Sequence, residues 1–174
     1  MIVPEIDLAL YHQKVLEVIA DKLSDAVASV HAYPVFEGTV PKSVSIELDA
    51  IFPGDPPDTG TDQLHAELRF AAYIVIPFTD TNPKLVVRRI ATQLAGIVRG
   101  NRFGCPGAGA ARFISANPDD FTVPGKSGRA GMTEEYEVWR VEWAFEAYIG
   151  ESVWNVDAPP VPISIEINGV EVAL

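Results

Sequence analysis

The residues able to do chemistry are few in this chain and widely spread. Gly125-Lys126-Ser127 matches the tail of a P-loop, in which backbone N–H groups and a lysine hold phosphates. That motif also needs a glycine five residues before Gly125, and Asp120 stands there beside Asp119. A surface loop is the better reading. Gly107-Ala108-Gly109-Ala110-Ala111-Arg112 begins like a dinucleotide fingerprint, but Arg112 takes the third glycine's place and no βαβ order precedes it. Cys105 becomes a nucleophile only beside a base, and the three histidines, His12, His31 and His65, lie far from it in the chain. No HExxH or Cys/His spacing suggests a metal. Acids that alternate along a strand, such as Glu135 and Glu137, read as a solvated face rather than a glycosidase pair. The expectation is a protein with no catalytic residue, no cofactor and no metal.

The elements that would position these residues are clearer. In EEYEVWRVEWAFEAYIG, Glu134 to Gly150, the residues Trp139, Val141, Trp143, Phe145, Ala147 and Ile149 alternate with Arg140, Glu142, Ala144, Glu146 and Tyr148. Period two predicts one long strand with an apolar face, and a charged face that stays wet or meets a partner. Leu8, Tyr11, Val15, Ile19, Leu23, Ala26 and Val30 form a helical stripe within Pro4 to Val30. A short edge strand is expected at Tyr33 to Phe36. Ser43 to Phe52 predicts a half-buried strand with Val44, Ile46, Leu48, Ala50 and Phe52 inward, followed by a turn-rich acidic loop from Pro53 to Gln63. A second strand runs to Phe78, with Ala66, Leu68, Phe70, Ala72, Ile74, Ile76 and Phe78 inward and His65, Glu67 and Arg69 outward, antiparallel to the first.

Helix two is predicted over Pro83 to Arg99. Thr81 or Asn82 would cap it, Pro83 takes its first position, Val87, Ile90, Ala91, Leu94, Ile97 and Val98 form its stripe, and Gly100 ends it. Arg88, Arg89 and Arg99 make it the main basic concentration. A small-residue loop, GCPGAG, then leads to a short apolar run around Ala111 to Ser115, and Asn117 to Thr133 reads as a long loop. The end, ISIEI, Asn168-Gly169, VEVAL, signals a type I′ hairpin.

At 174 residues the chain suits one well-buried domain. Thirteen basic against twenty-four acidic residues give a formal charge of -11, which argues against tight phosphate contacts. The single cysteine excludes an intrachain disulfide and fits a reducing compartment. No signal peptide is evident, and the longest apolar run, Phe70 to Phe78, is far short of the ~20 residues a membrane span needs. A soluble, cytoplasmic protein is expected.

The element order and the segment YEVWRVEWAFEAYIGESVW resemble the tail-terminator, or tail-completion, proteins of long-tailed bacteriophages and prophages. Tyr136, Val138, Trp139, Arg140, Val141, Gly150 and Trp154 carry that resemblance, and helix one, SVSIEL and ELRFAAYIV fit the family's layout. It implies an α/β domain of α+β type over residues 1–154, a mixed, mainly antiparallel sheet packed by two helices. Residues 155–174 would be a proline-rich linker and C-terminal hairpin outside the general pattern. It further implies a homohexameric ring on the end of the tail tube in the virion, made in the host bacterial cytoplasm. The ring would stop tube polymerisation, dock the head connector or neck proteins, and let DNA pass without specific binding; no membrane is involved. An acidic channel would repel the DNA backbone, so Asp55, Asp58, Asp62, Asp119 and Asp120 are the candidate channel or rim residues. Arg140, Glu142, Trp154, Lys126 and Arg129 are candidates for the subunit interface. Another neck or baseplate ring protein is one alternative. A small-molecule-binding domain or enzyme, with Trp139 and Trp143 lining a pocket, is the other.

Overall fold

A computed structural model describes residues 6–33, 40–58, 62–119 and 136–150, together with the backbone of two short strands near the C-terminus. Of residues 56–58 only the backbone is described. In chain order the elements are α1 (Leu8–Leu23), β1 (Ser29–Ala32), β2 (Ser43–Asp58), β3 (Leu64–Pro77), α2 (Pro83–Val98), β4 (Arg112–Pro118), β5 (Tyr136–Ile149), β6 (Ser164–Ile167) and β7 (Val170–Ala173). Five strands form one sheet in the order β1-β2-β3-β5-β4, with β1 parallel to β2 and the other neighbours antiparallel. This is the mixed, mainly antiparallel α+β sheet packed by two helices that the resemblance implies. β6 and β7 pair antiparallel, as the hairpin signal requires; the Asn168-Gly169 turn itself lies outside the described residues.

Both helices pack on one face of the sheet. α1 begins at Asp7, whose carboxylate accepts the Leu10 N–H at 2.9 Å, and buries Tyr11, Val15, Ile19 and Leu23. It ends earlier than the stripe suggests, and Val27 continues the core from the turn beyond it. α2 starts at Pro83 and buries Val87, Ile90, Ala91, Leu94 and Val98. Asn82 precedes it in the left-handed region with no side-chain cap bond; its carbonyl instead accepts the N–H groups of Leu85 and Val86. Gly100, at φ 74°, turns the chain out of the helix, and its N–H reaches the Ala111 carbonyl at 2.7 Å.

β5 is hydrogen-bonded along one side to β3 and along part of the other to β4. Its Val141, Trp143, Phe145 and Ala147 enter the core, while Trp139 is only partly covered. Tyr11 from α1 stacks on Phe145 at 4.2 Å and meets Phe70 at 5.3 Å and Phe103 at 5.7 Å; Phe70 in turn stacks on Trp143. Such pairs each add about 0.5–1.5 kcal/mol beyond their area burial. The approach of β5 to the chain before β4 is close at Gly109: a Cβ there would stand 2.8 Å from the Glu146 carbonyl oxygen. Only glycine fits.

Five expectations change. A bulge between Leu48 and Ala50 shifts the phase of β2, so Ala50 pairs with Arg69 and Phe52 with Glu67 on the face away from the helices. Phe52 is 41% exposed, not inward. β3 is buried on both faces, with Ala71, Tyr73 and Val75 covered as well as the predicted set; His65 is buried too, whereas Phe78 lies past the strand and is exposed. β2 extends through Asp58, so most of the expected acidic loop is a strand extension. The edge strand is Ser29–Ala32 and not Tyr33 to Phe36: Tyr33 follows it, and residues 34–36 lie outside the described ones. Asn117 and Pro118 belong to β4 rather than to a loop, and the expectation for 120–133 lies outside the described residues.

The Tyr11 hydroxyl and the Trp143 indole N–H are both buried without a hydrogen bond of normal geometry. Burial pushes the Tyr11 phenol well above its ordinary range, with the nearby Trp143 a partial offset. Two contrasting outcomes follow for chemical denaturation. Trp143→Ala should cost about 3–5 kcal/mol, because it empties the core's largest site. Tyr11→Phe keeps the ring contacts and deletes an unpaired buried hydroxyl, so its stability should be unchanged or higher; a loss above about 1 kcal/mol would show that the hydroxyl has a partner.

Candidate functional site

The face of the sheet away from the helices carries a polar band that crosses four strands. On β3 and β5 the register sets Tyr73 beside Arg140, Ala71 beside Glu142, Arg69 beside Ala144, Glu67 beside Glu146 and His65 beside Tyr148. Asp49, at the bulge in β2, meets Arg140 at 2.7 Å. Arg140 also contacts Glu142 at 3.0 Å, Glu142 accepts a hydrogen bond from the Ser115 hydroxyl on β4 at 2.8 Å, and Tyr73 donates to Glu47 at 3.0 Å. Further along, Glu67 takes Arg112 of β4 at 2.8 Å and Arg69 at 3.6 Å, and Arg69 lies over the Phe52 ring at 4.7 Å. The band is a cross-strand network, not a pocket.

Its electrostatics act on Tyr73 and Arg140. Burial, and then the Glu47 carboxylate it donates to, push the Tyr73 phenol well above its usual range, so it stays a neutral donor. Partial burial works against the charge of Arg140, but its anionic neighbours outweigh that and hold the guanidinium above its usual value. With side chains 18–29% exposed, the Asp49–Arg140–Glu142 cluster is partly desolvated, and such pairs are stronger than surface ones. Beside the band, Val40, Val75, Tyr136 and Val138 form a second small apolar cluster, and the Tyr136 hydroxyl accepts the Val40 N–H at 3.0 Å.

The predicted site residues fall in separate places. Arg140 and Glu142 both lie in the band with partners in their own subunit. Asp55 and Asp62 are exposed at the end of the β2–β3 hairpin, with the backbone of Asp58 between them. That end adjoins Ile149, since Leu64 pairs with Ile149. Asp119 donates its N–H to the Val138 carbonyl at 3.0 Å, at the opposite end of β5. Eleven residues of β5 separate the two ends, about 35 Å of strand. Asp120, Lys126, Arg129 and Trp154 lie outside the described residues. The sequence reading did not select Glu67, Arg112 or Asp49, whose roles depend on a bulge and on strand neighbours that local periodicity does not specify.

Trp143, expected in one alternative to line a pocket, is fully buried against Phe70. A groove of about 220 Å³ lies instead between Gly109, Ala110, Arg112, Ala144, Phe145, Glu146 and Glu67, over main chain where β4 and β5 part. It holds one carboxylate–guanidinium pair, Glu67–Arg112, that is already satisfied. Among the described residues no three His, Cys, Asp or Glu side chains converge on a metal position, and no helix is long and apolar enough to cross a membrane.

Cys105 is buried, and desolvation raises its thiol pKa; the weak pull of Lys14 is the next influence. The reactive thiolate is therefore suppressed at neutral pH. Alkylation of Cys105 in the native protein at pH 8 should be at least about tenfold slower than that of a free thiol, and should reach the free rate in denaturant. Fast native labelling would instead mark an activated cysteine.

No protein-family model matches the sequence, and no curated protein matches it. Solved structures do match, 15 chains among them. One belongs to the virion of a native gene transfer agent particle, with a TM-score of 0.51 and 13% identity, over 82% of this chain and 93% of that one. Another is from an extracellular contractile injection system, the PVC sheath/tube terminator in the extended state, with a TM-score of 0.45 and 10% identity, over 94% of this chain and 64% of the other. The first of these establishes that the fold of this chain is also the fold of a chain in a virion particle.

Proposed function

We propose that this protein is a phage tail terminator, a structural subunit that assembles as a ring on the end of the tail tube, halts tube growth and joins the tail to the head connector around a DNA passage. The observation that carries the reading is the fold shared with a virion chain over 93% of that chain's length. Two features of the molecule support it. The polar band joins β2, β3, β5 and β4 through side chains and encloses no reaction centre, as suits a rigid building block. Trp143 and Phe145 of β5 are packed into the core, and Trp139 is covered by the Arg88 guanidinium at 5.2 Å.

The acidic residues fit a DNA passage in a particular way. Because Asp55, Asp58 and Asp62 stand at one end of the sheet and Asp119, which Asp120 follows in sequence, at the other, a ring whose strands run along its axis would carry acid at each mouth. Repulsion at both mouths keeps phosphates from lodging on the wall, where each cation would add a salt-sensitive contact. Arg140 and Glu142, engaged inside their own subunit, act here by keeping the sheet rigid.

Electron microscopy of the purified protein, alone and mixed with growing tail tubes, tests the assignment. Rings six subunits in size that cap tube ends and fix their length are the expected result. Unchanged tube growth in the presence of a folded excess of the protein would remove the reading.

A further inference from the structure

The charges of this chain are sorted across the sheet. From Pro83 to Pro118, through α2, the following loop and the whole of edge strand β4, there are six basic residues, Lys84, Arg88, Arg89, Arg99, Arg102 and Arg112, and no Asp or Glu. Over 6–33 and 40–62, which supply α1, β1 and β2, there are nine acidic residues against three lysines. The two groups occupy opposite sides of the fold. α2 packs over β5, β3 and β4, whereas the last turns of α1 run onto β1, where the Ala28 N–H meets the Lys42 carbonyl. A subunit of net charge -11 therefore has one basic flank and one acidic flank.

Helix dipoles account for only part of this. Anions favour a helix N-terminus and cations its C-terminus; Asp7 and Lys22 of α1 and Arg99 at the end of α2 follow that rule, yet α2 has Lys84 in its first turn and no carboxylate at all, Asp21 stands in the last turn of α1, and Asp25 lies just beyond it. Among the described residues no carboxylate pairs with Lys84, Arg88, Arg89, Arg99 or Arg102. On the other flank Asp25, Asp55 and Asp62 have no cationic partner among the described residues either. Each flank also exposes apolar groups: Leu85, 68% exposed, and Phe113 on the basic side, Tyr33 and Ile51 on the acidic side.

We infer that successive copies of this chain meet head to tail, the basic α2–β4 flank of one against the acidic α1–β1–β2 flank of the next. Two different, complementary patches make a heterologous contact, which closes into a ring when the rotation allows. The opposite charges guide the encounter and forbid like-to-like pairing, and Leu85, Phe113, Tyr33 and Ile51 supply apolar area. The inference rests on the ring reading and specifies its interface. A second copy is the favoured occupant because the acidic partner is already present on the same subunit.

The test exchanges charges in two variants, Arg89→Glu/Arg99→Glu and Asp21→Lys/Asp25→Lys, all at exposed positions. Melting curves confirm that both fold, and sedimentation at low ionic strength gives their mass. Wild type should associate, less so as salt is raised. Each variant alone should lose association by at least about tenfold, since every contact now sets like charges together. An equimolar mixture should recover the wild-type mass, because each reversed flank then finds its complement on the other variant. Wild-type rings with both variants also forming rings, or a mixture that fails to recover, would overturn the inference and leave the ring reading standing. A wild-type protein that stays monomeric at every concentration and does not cap tubes would remove both. Retention of short duplex DNA by wild type, lost in Arg89→Glu/Arg99→Glu while rings persist, would reassign the basic flank to nucleic acid.

Discussion

β5 is the last strand of the sheet in chain order, yet it sits between β3 and β4. Until it arrives, β4 has no neighbour and α2 lacks much of the surface it packs against. Its composition answers that position. Trp143 and Phe145 meet Phe70 and Tyr11 on the helix side, and Arg140 and Glu142 collect partners from β2 and β4 on the other side. A slip of one residue would send Trp143 into the polar band and Arg140 into the core, at a cost of several kcal/mol for an unpaired buried charge. Both faces therefore specify a single register.

That double specification explains why the sheet's outer face tolerates so many charges. Surface ion pairs are worth little singly, but Asp49, Arg140 and Glu142 are partly covered and share one guanidinium, so ordering one pair lowers the cost of the next. Asp49 lies at the bulge, outside the paired register of β2 and β3, and beyond it the phase of β2 is reversed. The band fixes the relative positions of β2, β3, β5 and β4, and with them the separation of the two flanks that carry opposite charge.

Where a single face decided the pattern, local sequence sufficed: α1, α2 and the core face of β5 follow from apolar spacing alone. It failed where a second surface intervened. β3 has Ala71, Tyr73 and Val75 covered as well as its predicted face, which alternation cannot express, since small and amphipathic residues fit either side. Alternation places Ala50 and Phe52 inward because nothing local marks the bulge before them. Asn117 and Pro118 look like loop residues, but an edge strand with one free side tolerates proline. The acidic stretches are visible as composition, whereas the placement of Asp55 and Asp62 at one end and Asp119 at the other needs the register of β3 on β5.

The sorting of charge between flanks was also present in the sequence, and its meaning was not. A run of 36 residues without an acid, in a chain with twenty-four acids, reads along the chain only as a basic helix followed by neutral segments. The sheet order converts it into geometry, because α2 and β4 share one flank while α1 and β1 reach the other. In a symmetric, two-fold contact each patch faces itself, and flanks of a single sign would repel. Head-to-tail contact is the arrangement in which the same distribution is attractive at every interface. The charge pattern thus favours cyclic or helical assembly over a two-fold dimer, and of these the proposed role at the end of a tube would call for the cyclic one.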